Sequence, residues 1–146
     1  MAQTVVQHVL SRLYELGVKD VFGVPGDFAF PINDAVCSDP RLRWIGSCNE
    51  LNAAYAADGY ARICGIAGAY AEHLPIFHLV GMPATTQQQA HSLVHHTLGN
   101  GEFDLFHKMT DPVVCARAIM TPDNCVAETE RLIAAPHASD PIQEND

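Results

Sequence analysis

Between Thr4 and Val18 the apolar residues Val5, Val6, Val9, Leu10, Leu13 and Leu16 recur at the three- and four-residue spacing that lines one side of a helix, and Gly17 loosens its end. Asp20 to Val24 (DVFGV) is a short apolar run closed by Pro25-Gly26-Asp27, the punctuation of a buried strand entering a turn. Asp27 then caps a helix through about Cys37 in this reading. Arg43 to Ser47 (RWIGS) repeats the strand pattern, and Asn49 to Ile63 repeats the helical one. Pro75 to Met82 (PIFHLVGM) reads as a third strand, Thr86 to Val94 as the helix after it, and Pro112 to Ile119 (PVVCARAI) as a further strand. Thr121-Pro122-Asp123 has a Thr cap followed by Pro at the first helical position and opens a helix over Asn124 to Ala135.

Strands alternating with helices at this spacing predict an α/β fold, a three-layer, mostly parallel sheet with helices on both faces, because parallel strands need crossover helices. One stretch breaks the alternation. Between Asn49 and His73 the pattern holds two helical runs, or one interrupted at Gly65 and Gly68, and no strand. The fold is therefore expected to lack one central strand. From Pro136 to Asp146 (PHASDPIQEND) two prolines, three acids and one aliphatic residue predict an acidic disordered tail, leaving 1–135 as the folded domain.

Composition narrows the function. In 146 residues, 48% are apolar and 17% charged, and 8 Lys plus Arg against 17 Asp plus Glu give a net charge of -9. Such a surface repels phosphate backbones and anionic lipid, so neither nucleic acid nor membrane is an expected partner. The five cysteines, Cys37, Cys48, Cys64, Cys115 and Cys125, are odd in number and form no CxxC pair, which fits neither a disulfide framework nor a structural zinc site. With no basic, then apolar leader at the N-terminus, a reduced cytoplasmic setting is expected.

Three places carry candidate chemistry, each where a strand gives way to a loop or helix, the edge at which open α/β sheets place ligands. Asp27 in GVPGDF is either an ordinary helix cap or a carboxylate aimed into the crevice. Glu50 in SCNELNAAYAADGYAR shares the S-x-x-E capping-box spacing with Ser47, so it marks a helix start, a functional carboxylate, or both. Ala53, Ala54, Ala56 and Ala57 beyond it are small enough to admit a facing helix or a flat cofactor. His95-His96 precede a glycine-containing loop, and imidazoles there suit proton transfer near neutrality. His91 and His95 also have the i, i+4 spacing of a helical metal pair, the weaker reading because no acidic helper lies between them.

Taken together, GVPGDF, CNELNAAYAADGYAR, GIAGAYAEHLPIFHLVGMP and HHTLGNGEFDLF closely resemble, in order, the N-terminal pyrimidine-binding domain of thiamine-diphosphate-dependent 2-oxo acid decarboxylases, the pyruvate and indolepyruvate or phenylpyruvate branch. The resemblance runs from about residue 3 to Ala135. It implies the thiamine-diphosphate-binding fold and a reaction converting a 2-oxo acid to an aldehyde and carbon dioxide with thiamine diphosphate and Mg²⁺. It further implies that Glu50 hydrogen-bonds the cofactor's aminopyrimidine and stabilises its imino tautomer, that Pro25 and Gly26 help bind the cofactor, and that Asp27, His95 and His96 handle protons.

Two departures accompany the resemblance. A strand and a glycine-rich turn of the type TTxGVGELSA, usual between the GYAR and GIAG motifs, are missing where Arg62, Ile63 and Cys64 run straight into Gly65, matching the gap in the alternation. After RLIAA the closing strand, a middle domain and a C-terminal domain with its GDG…NN magnesium and diphosphate motif do not follow. The chain is thus expected to supply half of a site formed between subunits, as a homo-oligomer or paired with full-length subunits, and to be inactive alone. A non-catalytic interaction protein that pairs with full-length decarboxylase subunits is the alternative.

Overall fold

The computed structural model describes residues 3–64 and 77–138 and divides the chain into two compact units, 1–81 and 82–146. The first unit opens with helix α1 (Val5–Glu15). Thr4 and Gln7 cap each other reciprocally, the Gln7 N–H donating to Thr4 Oγ1 at 3.3 Å and the Thr4 N–H to Gln7 Oε1 at 3.0 Å. Gly17, at φ +96°, ends the helix, with the Gly17 N–H on the Tyr14 carbonyl and the Val18 N–H on the Leu13 carbonyl, a left-handed stop that glycine adopts without strain. Val9, Leu10 and Leu13 form its buried stripe.

Strand β1 (Asp20–Gly23), helix α2 (Phe30–Ser38) and strand β2 (Arg43–Gly46) make one β-α-β unit. The strands are hydrogen-bonded neighbours and run parallel, Asp20 opposite Arg43 and Gly23 opposite Gly46. Arg43 N–H to the Lys19 carbonyl and Ser47 N–H to the Gly23 carbonyl extend the ladder at both ends. Helix α2 buries Val36 completely and packs against α1 and β2. Helix α3 (Glu50–Cys64) packs on β1, where Tyr60 meets Phe22 with ring centroids 5.4 Å apart.

The expected third strand does not form over its described residues, 77–82. Gly81 instead lies against the backbone of Phe28 and Ala29, so closely that a side-chain carbon there would overlap the Phe28 carbonyl. Residues 65–76, which carry the second helical run, the GIAG motif and the junction of the missing strand, lie outside the described residues.

In the second unit, helix α4 (Thr85–Gln89) replaces the longer helix expected over 86–94. Its sequence TTQQQ has no apolar stripe to bury, and His91 at φ +47° turns the chain out of the helix. Helix α5 (Leu105–Met109) leads into a single 3-10 turn (Asp111–Val113), and helix α6 (Cys125–Ala138) follows. The strand expected over 112–119 is absent. Pro112 starts the 3-10 turn, and side chains take carbonyls that a ladder would use: Arg131 donates to the Arg117 carbonyl at 2.7 Å and Asn124 to the Ile119 carbonyl at 3.1 Å. Thr121 closes the turn ahead of α6, its Oγ1 accepting the Asn124 N–H at 3.3 Å and its carbonyl the Cys125 N–H at 3.0 Å, but the helix starts at Cys125 and not at Pro122. Residues 139–146, most of the expected tail, lie outside the described residues.

The observed sheet is thus parallel and helix-covered, as the α/β reading requires, but among the described residues it has two strands.

Candidate functional site

Two loops leave the C-terminal ends of β1 and β2, and both carry residues singled out from sequence. The first holds Pro25, Gly26 and Asp27, all exposed, in a turn closed by the Ala29 N–H donating to the Gly26 carbonyl at 2.7 Å. Asp27 is not the cap of α2. Ala29 takes that position with no side-chain bond, because the turn spends two more residues before Phe30 and Pro31 begin the helix.

The second loop ends at Glu50, the first residue of α3, whose side chain is exposed. Its cap is Asn49, not Ser47: Asn49 Oδ1 accepts the Asn52 N–H at 2.8 Å and the Asn49 carbonyl accepts the Ala53 N–H at 3.1 Å. Ser47 is still part of the ladder through its bond to Gly23, which is why the S-x-x-E box is not made. Because Gly23 and Gly46 face each other in the parallel register, the Pro25–Asp27 turn and Glu50 rise from one edge of the sheet. That edge is where α/β folds bind ligands. A Cβ added to Gly26 would have no neighbour within 4 Å, so the turn borders open space. Of the alanines on α3, Ala53 is buried while Ala54 and Ala56 are exposed, and Leu51 and Tyr55 are 63% and 69% exposed.

His95 and His96 belong to the second unit. Both are exposed, their rings meet edge to face with centroids 4.9 Å apart, and His96 adopts a left-handed φ of +56°. The Thr97 hydroxyl donates to the Val94 carbonyl at 2.6 Å and accepts the Gly99 N–H at 3.2 Å, fixing the turn that presents them. His91 and His95 do not share a helix, so the helical metal-pair geometry is not realised. The His91 ring instead donates from Nδ1 to the Gly101 carbonyl at 2.9 Å.

Sequence reading passed over the cluster at the other end of the strands. Asp20 is buried, its carboxylate taking Arg43 Nε–H at 2.5 Å and the Tyr60 hydroxyl. Arg43, and then Tyr60, hold this carboxyl below the usual aspartate range. An acid heading an apolar strand, level with an arginine heading the next, was the available clue.

Residues 3–65 match the family of the thiamine pyrophosphate enzyme, N-terminal TPP binding domain. This segment belongs to that family. Relatives extend the likeness over most of the chain. It is 42% identical over 148 residues to an alpha-keto-acid decarboxylase of Mycobacterium ulcerans (strain Agy99), covering 89% of this chain and 26% of the relative. Against the protein of that name from Mycobacterium leprae (strain TN), identity is 40% over 149 residues, covering 90% and 26%. For the one from Mycobacterium tuberculosis (strain ATCC 25618 / H37Rv) it is 40% over 149 residues, covering 90% and 27%. The chain spans about a quarter of the length of these curated relatives. The α/β thiamine-pyrophosphate-binding fold follows from this membership, and the β-α-β unit with Glu50 and Asp27 at one edge falls wholly inside the matched segment.

Proposed function

We propose that this chain supplies the pyrimidine-binding half of a thiamine-diphosphate- and Mg²⁺-dependent decarboxylase that converts a 2-oxo acid to an aldehyde and carbon dioxide. Pyruvate, phenylpyruvate and indolepyruvate are the substrate class. The setting is cytoplasmic, in a homo-oligomer or in pairs with full-length subunits. The observation that carries this reading is the placement of Glu50 and the Pro25–Asp27 turn at the same edge of adjacent parallel strands.

The residues present fit the pyrimidine end of the cofactor. An exposed carboxylate on the first residue of α3 is an acceptor for a protonated ring nitrogen, and the space beside Gly26 leaves room for a flat ring at the turn. Glu50 would hold that proton, and Pro25 and Gly26 would border the ring. No GDG…NN motif occurs in these 146 residues, so Glu50, Pro25 and Gly26 would meet the cofactor at its pyrimidine end only. When bound, thiamine diphosphate supplies the electron sink that decarboxylation needs. Asp27, His95 and His96 serve as the proton carriers, side chains able to give and take protons near neutral pH.

Calorimetric titration of the chain with thiamine diphosphate and Mg²⁺ tests the role of Glu50. Binding that weakens about tenfold or more in Glu50→Gln is expected, the loss of one charge-assisted hydrogen bond. Equal affinity of the two proteins would sink the assignment.

The exposed Leu51 and Tyr55, one turn apart on α3, favour a second reading in which the chain pairs without catalysis with full-length decarboxylase subunits. Co-purification that survives Glu50→Gln but fails in Leu51→Glu supports it, and no association at micromolar concentration removes it.

A further inference from the structure

Asp20 is the one buried charged residue among the described residues, its side chain 2% exposed. It stands at the start of β1, whereas Glu50 stands at the start of α3, beyond the far end of β2. Tyr60 joins the two. Asp20 and Phe22 are two residues apart in β1 and share a face, and that face receives both parts of Tyr60: the ring on Phe22, the hydroxyl on the Asp20 carboxylate.

Toward its N-terminus α3 turns large side chains to solvent. Leu51 and Tyr55 point outward, and Ala53 is the only buried residue among its described side chains. With those side chains outside the core, a polar anchor on the sheet constrains the tilt and rotation of the helix. Arg43, bonded to the same carboxylate, pins β1 against β2 in the register that sets Gly23 level with Gly46, and hence the two loops level with each other. Glu50 lies about 15 Å from Tyr60 along a continuous helix, close enough for a rigid rod to carry the anchor to its first turn.

We propose that Asp20, acting through Tyr60 and Arg43, is a positioning residue for Glu50. This rests on the reading of Glu50 given above. Asp20 touches neither cofactor nor substrate. It fixes the axis of α3 on the sheet and the register beneath the loops, so the carboxylate of Glu50 is presented in one direction.

Amide hydrogen exchange on the full chain tests the link, with Tyr60→Phe as the variant because it removes only the hydroxyl and keeps the ring on Phe22. The Asn52 and Ala53 amides, bonded to Asn49 beside Glu50, are expected to exchange about fivefold faster, the effect of one lost hydrogen bond. The Arg43 and Ser47 amides of the ladder are expected to keep their wild-type protection. Asp20→Asn with Tyr60 intact, which retains an acceptor for its hydroxyl, should keep slow exchange at Asn52 and Ala53, and Asp20→Leu should not. Unchanged Asn52 and Ala53 in Tyr60→Phe, or acceleration of all these amides together, would overturn the proposal, the latter marking a merely structural role. Titration with thiamine diphosphate and Mg²⁺ separates the two readings. Weaker binding by Tyr60→Phe than by wild type supports both, whereas equal affinity of wild type and Glu50→Gln overturns the reading of Glu50 and leaves exchange to decide the link.

Discussion

The indole of Trp44 lies across Gly23, such that a Cβ on that glycine would come within 2.6 Å of Trp44 Cη2. Trp44 pairs with Val21 in the register, which puts Val21, Gly23 and Trp44 on the face of the sheet opposite Asp20 and Phe22. The glycine is there because the ring occupies the space its side chain would need. Gly23→Ala is expected to destabilise the first unit by about 1–3 kcal/mol through overpacking. Urea unfolding followed by the fluorescence of Trp44, the sole tryptophan, measures it. Adding Trp44→Leu should recover part of the loss, followed then by circular dichroism, and a Gly23→Ala midpoint equal to wild type would show that the ring moves aside freely.

Asp20 makes the first unit sensitive to acid. Its carboxyl is held below 3.8 in the folded chain, by Arg43 first and Tyr60 second. A depressed folded value means that the contribution is complete above the unfolded value of about 3.9 and is lost as pH falls through the folded one. Stability of the wild-type chain should therefore drop below about pH 4, and Asp20→Asn should flatten that limb. Identical acid limbs for the two proteins would contradict the assignment.

Asp39 is also held low. Arg41 lowers its carboxyl to about 2, through side-chain bonds from Nε at 2.9 Å and Nη2 at 2.6 Å and through the Arg41 N–H at 3.0 Å. Arg41 is itself steadied on α1, 4.9 Å over the Tyr14 ring and 3.2 Å from Ser11 Oγ. Its replacement by alanine should move Asp39 back toward 3.8 in a carboxyl NMR titration and leave Asp20 where it was. Because the shift is downward, the stabilisation from Asp39 is complete above about pH 4 and is lost progressively as pH falls toward 2.

Glu50→Gln should separate chemistry from folding. The side chain is exposed and Asn49 does the capping, so melting is expected to change by about 0.5 kcal/mol or less. Asn49→Ala, which removes the cap, should instead cost about 1 kcal/mol. A Glu50→Gln protein that unfolds at markedly lower denaturant would assign the residue to the scaffold.

The sequence was most readable where burial and capping agree. The apolar stripe of α1 and the DVFG and RWIG strands stand where the hydrophobic pattern puts them, the helix because it satisfies its own backbone and the strands because one short crossover helix brings them side by side. Residues 77–82 and 112–119 are equally apolar but do not join the ladder, since strand pairing needs a partner that a local pattern cannot supply. In the second case arginine and asparagine side chains reach the carbonyls first. The left-handed His91 and His96 were invisible for a related reason: the backbone is set by the turn around them, not by the histidines. Of the candidate site, Glu50 and the Pro25–Asp27 turn were legible from their place at strand ends. The Asp20–Arg43–Tyr60 cluster was not, because its members are distant in sequence and meet only through strand register and helix packing.

The most direct test of the half-site account is aldehyde formation from pyruvate, phenylpyruvate and indolepyruvate in the presence of thiamine diphosphate and Mg²⁺. The chain is assayed alone, and then mixed with a full-length alpha-keto-acid decarboxylase whose own glutamate matching Glu50 has been changed to glutamine. The account predicts no aldehyde from the chain alone, and turnover restored in the mixture by the wild-type chain but not by Glu50→Gln. Turnover by the chain alone, or a mixture indifferent to Glu50, would contradict it.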